Sequence, residues 1–167
     1  MHHFGVKASV ATTLHHSKGG QFIVHAKALL GKPYDGHTLA TVIPEIEQLV
    51  GAPLHRILAD AGYKGHNASE DYRFKVYTAG QKRRVTDAVK RQMRRRSAVE
   101  PVIGHAKAEH RMGRNYLAGR AGDAINAVLA AAGYNFRRLL AWFGLLFAAI
   151  WIGLIANNQP EIAYQSN

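Results

Sequence analysis

The order in which apolar residues repeat along the chain constrains its fold more than any other feature. From Phe4 to Val10 apolar residues alternate with small or polar ones, which is the two-residue period of a half-buried strand. The turn-forming residues at 17–20 then precede a second strand-like run from Gln21 to Leu29. This pattern predicts an antiparallel hairpin.

The period changes to that of a helix after the hairpin. Apolar positions from Leu39 to Val50 follow helical spacing, although Pro44 must kink this helix or delay its start. Short strands are predicted at 55–60 and 73–78, and from Thr86 onward the pattern is helical, with a glycine-punctuated break at 113–122. The chain therefore reads as an α/β protein.

Asp60 ends the first of these short strands and precedes a loop with two glycines. A strand, a helix and another strand favour a parallel pair with a right-handed crossover. Ligands collect at the carboxyl ends of strands in such sheets, so Asp60 is a candidate site residue. The alternative is that Asp60 only caps the loop.

The charge is strongly positive and unevenly spread. The 167 residues contain 22 Lys and Arg against 11 Asp and Glu, which gives a formal net charge of +11. Between Lys82 and Arg96 there are eight basic residues and one acidic residue, Asp87, so an anionic partner such as nucleic acid is favoured over a merely solvated helix face. The absence of cysteine excludes disulfides, thiolate zinc sites and cysteine nucleophiles.

Glu100 lies inside the basic segment RRRSAVEPVIGHAKAEHR, and its surroundings allow two interpretations. Ser97 and Glu100 have the spacing of a capping box, or Glu100 could itself cap a helix that starts at Pro101. Alternatively, Arg96, Glu100 and Lys107 form one row if a single helix runs through them. A cation, a carboxylate and a second cation in a row suit a phosphate and a divalent metal ion.

Four segments in the same order resemble the family-five branch of the bacterial insertion-sequence transposases of the DDE class. They are KPYDGHTL (32–39), ADAGYKGH (59–66), RRRSAVEPVIGHAKAEHRMGRNYL (94–117) and GDAINAVLAAAGYNFRRLL (122–140), and the resemblance extends from about Phe4 to Trp142. It implies an RNase H-like mixed sheet of five strands flanked by helices. Met93 stands where this family often has a tyrosine, so one DNA contact is in doubt.

The resemblance also implies roles for particular residues. Asp60 would be the second catalytic carboxylate and Glu100 the third, both as ligands of two Mg²⁺ or Mn²⁺ ions that activate water or a 3′ hydroxyl at a phosphodiester. Arg96 and Lys107 would contact DNA phosphates. Further candidates for DNA contact are Lys64, Arg94, Arg95, Arg111 and Arg114.

The first carboxylate of that family has no counterpart in this chain. Residues 1–34 contain neither Asp nor Glu, and Asp35 lies in a turn on the far side of the predicted strands. We therefore expect a partial RNase H-like catalytic domain at 1–142 that lacks its first strand and does not cut DNA alone. A hydrophobic helix at 143–157 and a disordered tail at 158–167 would follow it.

Three functions are consistent with these features. The first is the carboxy-terminal piece of a transposase in the bacterial cytoplasm, with transposon ends and target DNA as partners, and with full-length transposase or a second copy as a further partner. The second is a non-enzymatic DNA-binding remnant. The third is a small membrane-associated basic protein, suggested only by the eighteen uncharged residues from Leu139 to Ala156. The alternative for this run is a core helix that covers the sheet, which the resemblance supports at least as far as Trp142.

Overall fold

The computed structural model describes residues 6–15 and 20–157, and it is a mixed α/β structure with small sheets. The turn residues 17–19 and the tail at 158–167 lie outside the described residues. In chain order the strands and helices are β1 (Lys7–Thr12), β2 (Ile23–Leu29), α1 (Leu39–Val50), β3 (Ile57–Ala59), β4 (Val76–Thr78), α2 (Asp87–Arg96), α3 (Val99–Ala108) and α4 (Gly119–Asn157).

The predicted hairpin is confirmed. β1 and β2 pair antiparallel, with Lys7 opposite Leu29 and Val10 opposite Ala26. The register shifts between Ala11 and Thr12, near the connection of the two strands. The two-residue period of the sequence thus produced the expected ladder.

The parallel pair involves different strands from those expected. β3 and β4 pair in parallel, with Leu58 opposite Tyr77, whereas β2 and β3, which flank α1, belong to separate two-stranded sheets. The helix α1 packs Leu39 and Ile43 on the β3 and β4 unit. It also reaches β2 through Glu45, so it joins the two sheets through side chains and does not act as a crossover within one sheet.

Glu45 holds the contact between α1 and β2. Its carboxylate accepts a hydrogen bond from Lys27 and lies 3.0 Å from His25 Nε2. Burial raises the pKa of Glu45, but the hydrogen bonds from Lys27 and His25 outweigh that effect, and the pKa is lowered overall. The contact therefore favours the ionised carboxylate.

The helix α1 begins at Leu39 in spite of Pro44, which lies inside it. Its last residue is followed by Gly51, whose left-handed backbone (φ 72°) ends the helix. No side chain of its own N-cap satisfies the first turn; instead the Ala40 amide donates to Asn67 Oδ1 at 3.0 Å. A loop residue 27 positions away thus caps this helix.

Two apolar clusters form the core. The first joins the hairpin to α3 and α4, and the second joins α1 to β3 and β4. The first contains Ile23, Val102, Ala106, Ala131 and Tyr134, and the second contains Leu39, Ile43, Tyr72 and Val76.

The helix α4 is much longer than its packed part. Its buried residues lie between Gly122 and Tyr134, and Asn135 next to them bonds the backbone of Ile23 through both its amide atoms, at 2.9 and 2.7 Å. From 143 to 157 every residue is exposed. Of the two alternatives for 139–156, a core helix therefore does not extend beyond Trp142, because no element of the described residues covers this part of α4.

Candidate nucleic-acid interface

Asp60 lies directly after β3, at the carboxyl end of the parallel pair. Its Oδ1 accepts a hydrogen bond from the Ala61 amide at 2.7 Å and so caps the short 3-10 turn Ala61–Tyr63. The same oxygen lies 3.5 Å from the guanidinium of Arg96, and the Asp60 side chain is 66% exposed. Capping is therefore one role of Asp60, and the structure also brings it together with Arg96.

The loop after Asp60 packs on the turn that precedes α1. The Tyr34 hydroxyl donates to the Lys64 carbonyl at 2.7 Å, and the Asn67 amide donates to the Gly36 carbonyl at 2.9 Å. A Cβ on Gly36 would lie 2.8 Å from the Tyr34 ring, so only glycine fits there without a shift. The segments KPYDGHTL and ADAGYKGH, which are far apart in sequence, thus form one structural unit.

Asp35 also belongs to this unit. It opens the 3-10 turn Asp35–Thr38, and its Oδ1 lies 2.6 Å from Lys7 Nζ. Its other oxygen lies 2.9 Å from the position of a Cβ on Gly62, two residues after Asp60. The expected turn role is confirmed, and the turn lies against the Asp60 loop.

The helix α2 carries the densest positive charge. It has five basic residues and one acid, and Val89, which is 1% exposed, anchors it to the body of the protein. At its start Thr86 Oγ1 accepts a hydrogen bond from the Val89 amide at 3.3 Å. The helix lies against β3, where Arg56 donates to Gln92.

The cations of α2 differ in how they are paired. Lys90 lies 3.0 Å from Asp87 and Arg96 lies 3.5 Å from Asp60. Arg91 and Arg94 are exposed and form no ion pair with any residue in the described ranges. Together with Asp87 and Lys90 they line a shallow depression on the helix surface.

The row of Arg96, Glu100 and Lys107 does not lie on one helix. α2 ends at Arg96 and α3 begins at Val99, and between them the Ala98 amide donates to the Arg95 carbonyl at 3.0 Å. This shorter spacing tightens the turn and interrupts the ladder of α-helical hydrogen bonds. The stripe expected from a continuous helix is therefore wrong.

The capping box at this junction is also wrong. Ser97 Oγ donates to the Arg94 carbonyl at 2.9 Å, and the N-cap of α3 is Ala98, which makes no side-chain cap. Glu100 and Pro101 are the second and third residues of α3, so neither begins the helix. A proline is tolerated there because the first amides of a helix need no intrahelical acceptor.

Glu100 is an exposed carboxylate near the start of α3. It forms no ion pair or side-chain hydrogen bond with the residues that the structure describes. Lys107 lies near the end of α3, close to Gly113, and Arg111 and Arg114 belong to the turn that follows, in which the Arg114 amide donates to the Arg111 carbonyl at 3.0 Å.

Two further predicted DNA contacts have defined neighbours. The Lys64 ammonium lies 3.9 Å from the position of a Cβ on Gly80, just beyond the end of β4. The Arg95 guanidinium lies 3.2 Å from His15 Nδ1 in the hairpin connection. Lys64 and Arg96 thus both lie near the carboxyl ends of β3 and β4.

A metal site is not assembled by the described residues. Within residues 6–15 and 20–157, no three His, Asp or Glu side chains are grouped so that they could hold an ion. Asp60 lies next to the cation of Arg96, and Glu100 has no ion-pair partner among the described residues. The donor set therefore does not fit a two-ion centre.

Asn67 and Asn135 hold these elements in place and were not predicted from the sequence. Asn67 ties the Asp60 loop to α1, and Asn135 ties α4 to β2. Both lie in the motifs noted above or next to them, but an asparagine in a loop or helix gives no sequence signal of a distant backbone partner. Gly36 and Gly62 were the available signal, since they mark close approach of two segments.

A comparison with protein families identifies a related domain. Residues 63–140, a little under half of the chain, match the family model described as the transposase DDE domain. This match supports a DDE transposase and implies DNA as the general partner; transposase DDE domains generally use divalent metal ions. The matched range contains α2 and Glu100 but begins after Asp60. No curated protein and no solved structure matches the chain.

Proposed function

We propose that this chain is the DNA-binding carboxy-terminal part of a bacterial insertion-sequence transposase, and that it binds duplex DNA without cutting it. One observation carries the proposal: α2 presents Arg91 and Arg94 to solvent with no carboxylate partner among the described residues, inside the range that matches the transposase domain. Several cations on one helix repel one another unless an anion lies alongside them. A phosphate backbone supplies that anion.

The DNA face extends from α2 to the turn after α3. Arg94, Arg95 and Arg96 form the last turn of α2, where positive charge also complements the helix dipole. That stabilisation does not require three arginines, so we assign the excess to phosphate contacts. Four further cations complete the proposed set. They are Lys64 near the end of β4, and Lys107, Arg111 and Arg114 around the end of α3.

Asp60 and Glu100 are proposed as the two acids that this chain would contribute to a catalytic centre. A two-ion centre with Mg²⁺ or Mn²⁺ requires a third, shared carboxylate, which the described residues do not bring to them. The four described strands, divided into two pairs, fit an RNase H-like sheet that lacks one of five strands. Full-length transposase is therefore the proposed protein partner, and a DNA-binding remnant without catalysis is the second candidate function.

The DNA face is tested by measuring affinity for duplex DNA at several salt concentrations. With roughly six phosphates neutralised, the logarithm of the binding constant should fall with a slope near −5 against the logarithm of salt. Arg91→Gln and Arg94→Gln should each weaken binding to all sequences equally and reduce that slope by about 1.

The matched control is Arg73→Gln, which removes the same charge from an exposed guanidinium that pairs with Glu70 at 3.3 Å. It should leave both the affinity and the slope unchanged. A flat salt response, or an equal loss in Arg73→Gln, would contradict the proposed face.

The catalytic assignment is tested by adding the missing segment. Fused upstream of Met1, a transposase segment that carries the first aspartate should give metal-dependent nicking of transposon-end DNA. Asp60→Asn and Glu100→Gln should each abolish the nicking and leave DNA binding intact. Nicking by the unfused chain, or activity of the fusion after either substitution, would show that these two acids are not metal ligands.

A further inference from the structure

The part of α4 beyond the globular body is apolar on every side. Residues 139–156 carry no charge, and α4 is the one helix of the described chain that is long and apolar enough to cross a membrane. Length and composition alone are weak evidence, because a core helix of a soluble protein satisfies the same criteria. A core helix is mostly buried, however, whereas none of the apolar window of α4 is buried.

The directions of the exposed side chains indicate what can cover them. Successive residues of a helix are about 100° apart, so Leu146, Phe147 and Ile152 divide its circumference into three nearly equal parts. They are 41%, 66% and 66% exposed. A second helix would cover one stripe and leave the other two in water, whereas lipid surrounds a helix completely.

The length and the flanking residues point to the same environment. At 1.5 Å per residue the eighteen uncharged residues span about 27 Å, close to the ~30 Å hydrocarbon thickness of a bilayer. Arg137 and Arg138 stand directly before them. Trp142 lies four residues after Arg138, at a depth where tryptophan favours the interface between lipid and water.

The globular body fixes the position of these arginines. Arg137 pairs with Glu109 at the end of α3, and Arg138 Nε donates to the Tyr134 hydroxyl at 3.2 Å. The Tyr134 hydroxyl in turn donates to the Gln21 carbonyl at 3.1 Å. The charged end of the apolar segment is thus tied to the folded part of the chain.

We propose that residues 139–156 of α4 insert into a lipid bilayer as a membrane-spanning helix, with the basic globular part on the side of Arg137 and Arg138. Positive residues flanking a span stay on the cytoplasmic side, where anionic lipids attract a protein of net charge +11. This proposal does not rest on the proposed DNA face, because the length, apolarity and exposure of residues 139–156 carry it.

The test mixes the purified full chain with vesicles of phosphatidylcholine, with and without phosphatidylglycerol. The protein should float with both vesicles and stay bound after washes with high salt and with alkaline carbonate. The only two tryptophans of the chain, Trp142 and Trp151, lie in the segment, so intrinsic fluorescence should shift to shorter wavelength.

Two double variants separate insertion from attraction by charge. The first double variant, Phe147→Lys with Ile150→Lys, places two charges in the middle of the segment. Each added charge should weaken partition into phosphatidylcholine vesicles by roughly a hundredfold. Leu49→Lys with Val50→Lys adds the same charge at exposed positions of α1 and should leave partition unchanged.

Three outcomes would overturn the proposal. The first is release of the chain by the alkaline wash, and the second is equal binding of the two double variants. The third is concentration-dependent self-association in the absence of lipid, without binding to vesicles, which would show that a second copy covers the segment.

Discussion

At the scale of single residues, the pair of Glu47 and Tyr72 gives the clearest dependence on pH. The Tyr72 hydroxyl donates to the Glu47 carboxylate, which also accepts the Leu54 amide at 2.8 Å. The hydrogen bond from Tyr72 is the main cause that lowers the pKa of Glu47, and the same bond raises the pKa of Tyr72. Both shifts favour an ionised carboxylate beside a neutral phenol.

The stabilisation from this pair has limits at both ends of the pH scale. The lowered pKa of Glu47 gives stability that is present above its ordinary value of 4.5 and is lost as pH falls. The raised pKa of Tyr72 gives stability that is present below 10.0 and is lost as pH rises through the folded-state value. Tyr72→Phe should therefore flatten the dependence of the thermal midpoint on pH at both ends. Thermal unfolding followed from acid to alkaline pH measures this, and an unchanged profile would contradict it.

At the scale of elements, the two helical prolines differ in how much they reduce the stability of the fold. Pro44 lies at the sixth position of α1 and leaves the Ala40 carbonyl without its helical donor, whereas Pro101 lies at the third position of α3, where no such donor is needed. Pro44→Ala should therefore raise the free energy of unfolding by about 1 to 2 kcal/mol, after the greater freedom of the unfolded chain is counted. Denaturant titration measures the change.

Pro101→Ala is the matched substitution. Because it restores no hydrogen bond, it should leave stability unchanged or lower it slightly. Equal gains in the two variants would mean that the missing donor in α1 is not the cause.

The form of the break between α2 and α3 could not be predicted from the sequence. Ser97 and Ala98 have right-handed helical backbone angles, and neither glycine nor proline separates the two helices. The sequence allowed either a helix start at this point, capped by Ser97 or Glu100, or a row of charges on one continuous helix, and the structure contains neither arrangement. The tight turn that joins the two helices has no signature in local composition.

At the scale of the whole molecule, the body of the protein ends well before α4 does. A chain that stops at Trp142 keeps every residue that is buried between 6 and 157 in the described ranges, since the last of them is Tyr134. It should unfold at the same temperature as the full chain and aggregate less, because large exposed apolar patches promote association. Calorimetry and light scattering measure both properties.

A shorter chain provides the control for this truncation. Ending at Gly133 removes Tyr134 and Asn135, with their bonds to Gln21 and Ile23, so this variant should not fold stably. Aggregation of the chain that ends at Trp142 would mean that residues beyond it protect the core.

The parts of the fold that the sequence predicted correctly are those set by neighbours along the chain. The hairpin followed from alternation between Phe4 and Val10, and α1 followed from apolar spacing after Leu39. The division into two sheets, the docking of the Asp60 loop on the Tyr34 turn and the exposure of α4 depend on distant contacts or on their absence. The candidate acids could be named from motifs, but the ion pair of Asp60 with Arg96 across the chain could not.

Because Asn135 accepts a hydrogen bond from the Ile23 amide, hydrogen exchange at this one amide reports whether α4 is docked on the hairpin. The Ile23 amide, at the first residue of β2, donates to a side chain 112 positions away, on α4. Its exchange with solvent deuterium therefore requires α4 to leave the hairpin, even if the strands stay paired. A single resonance thus separates undocking of the long helix from unfolding of the sheet.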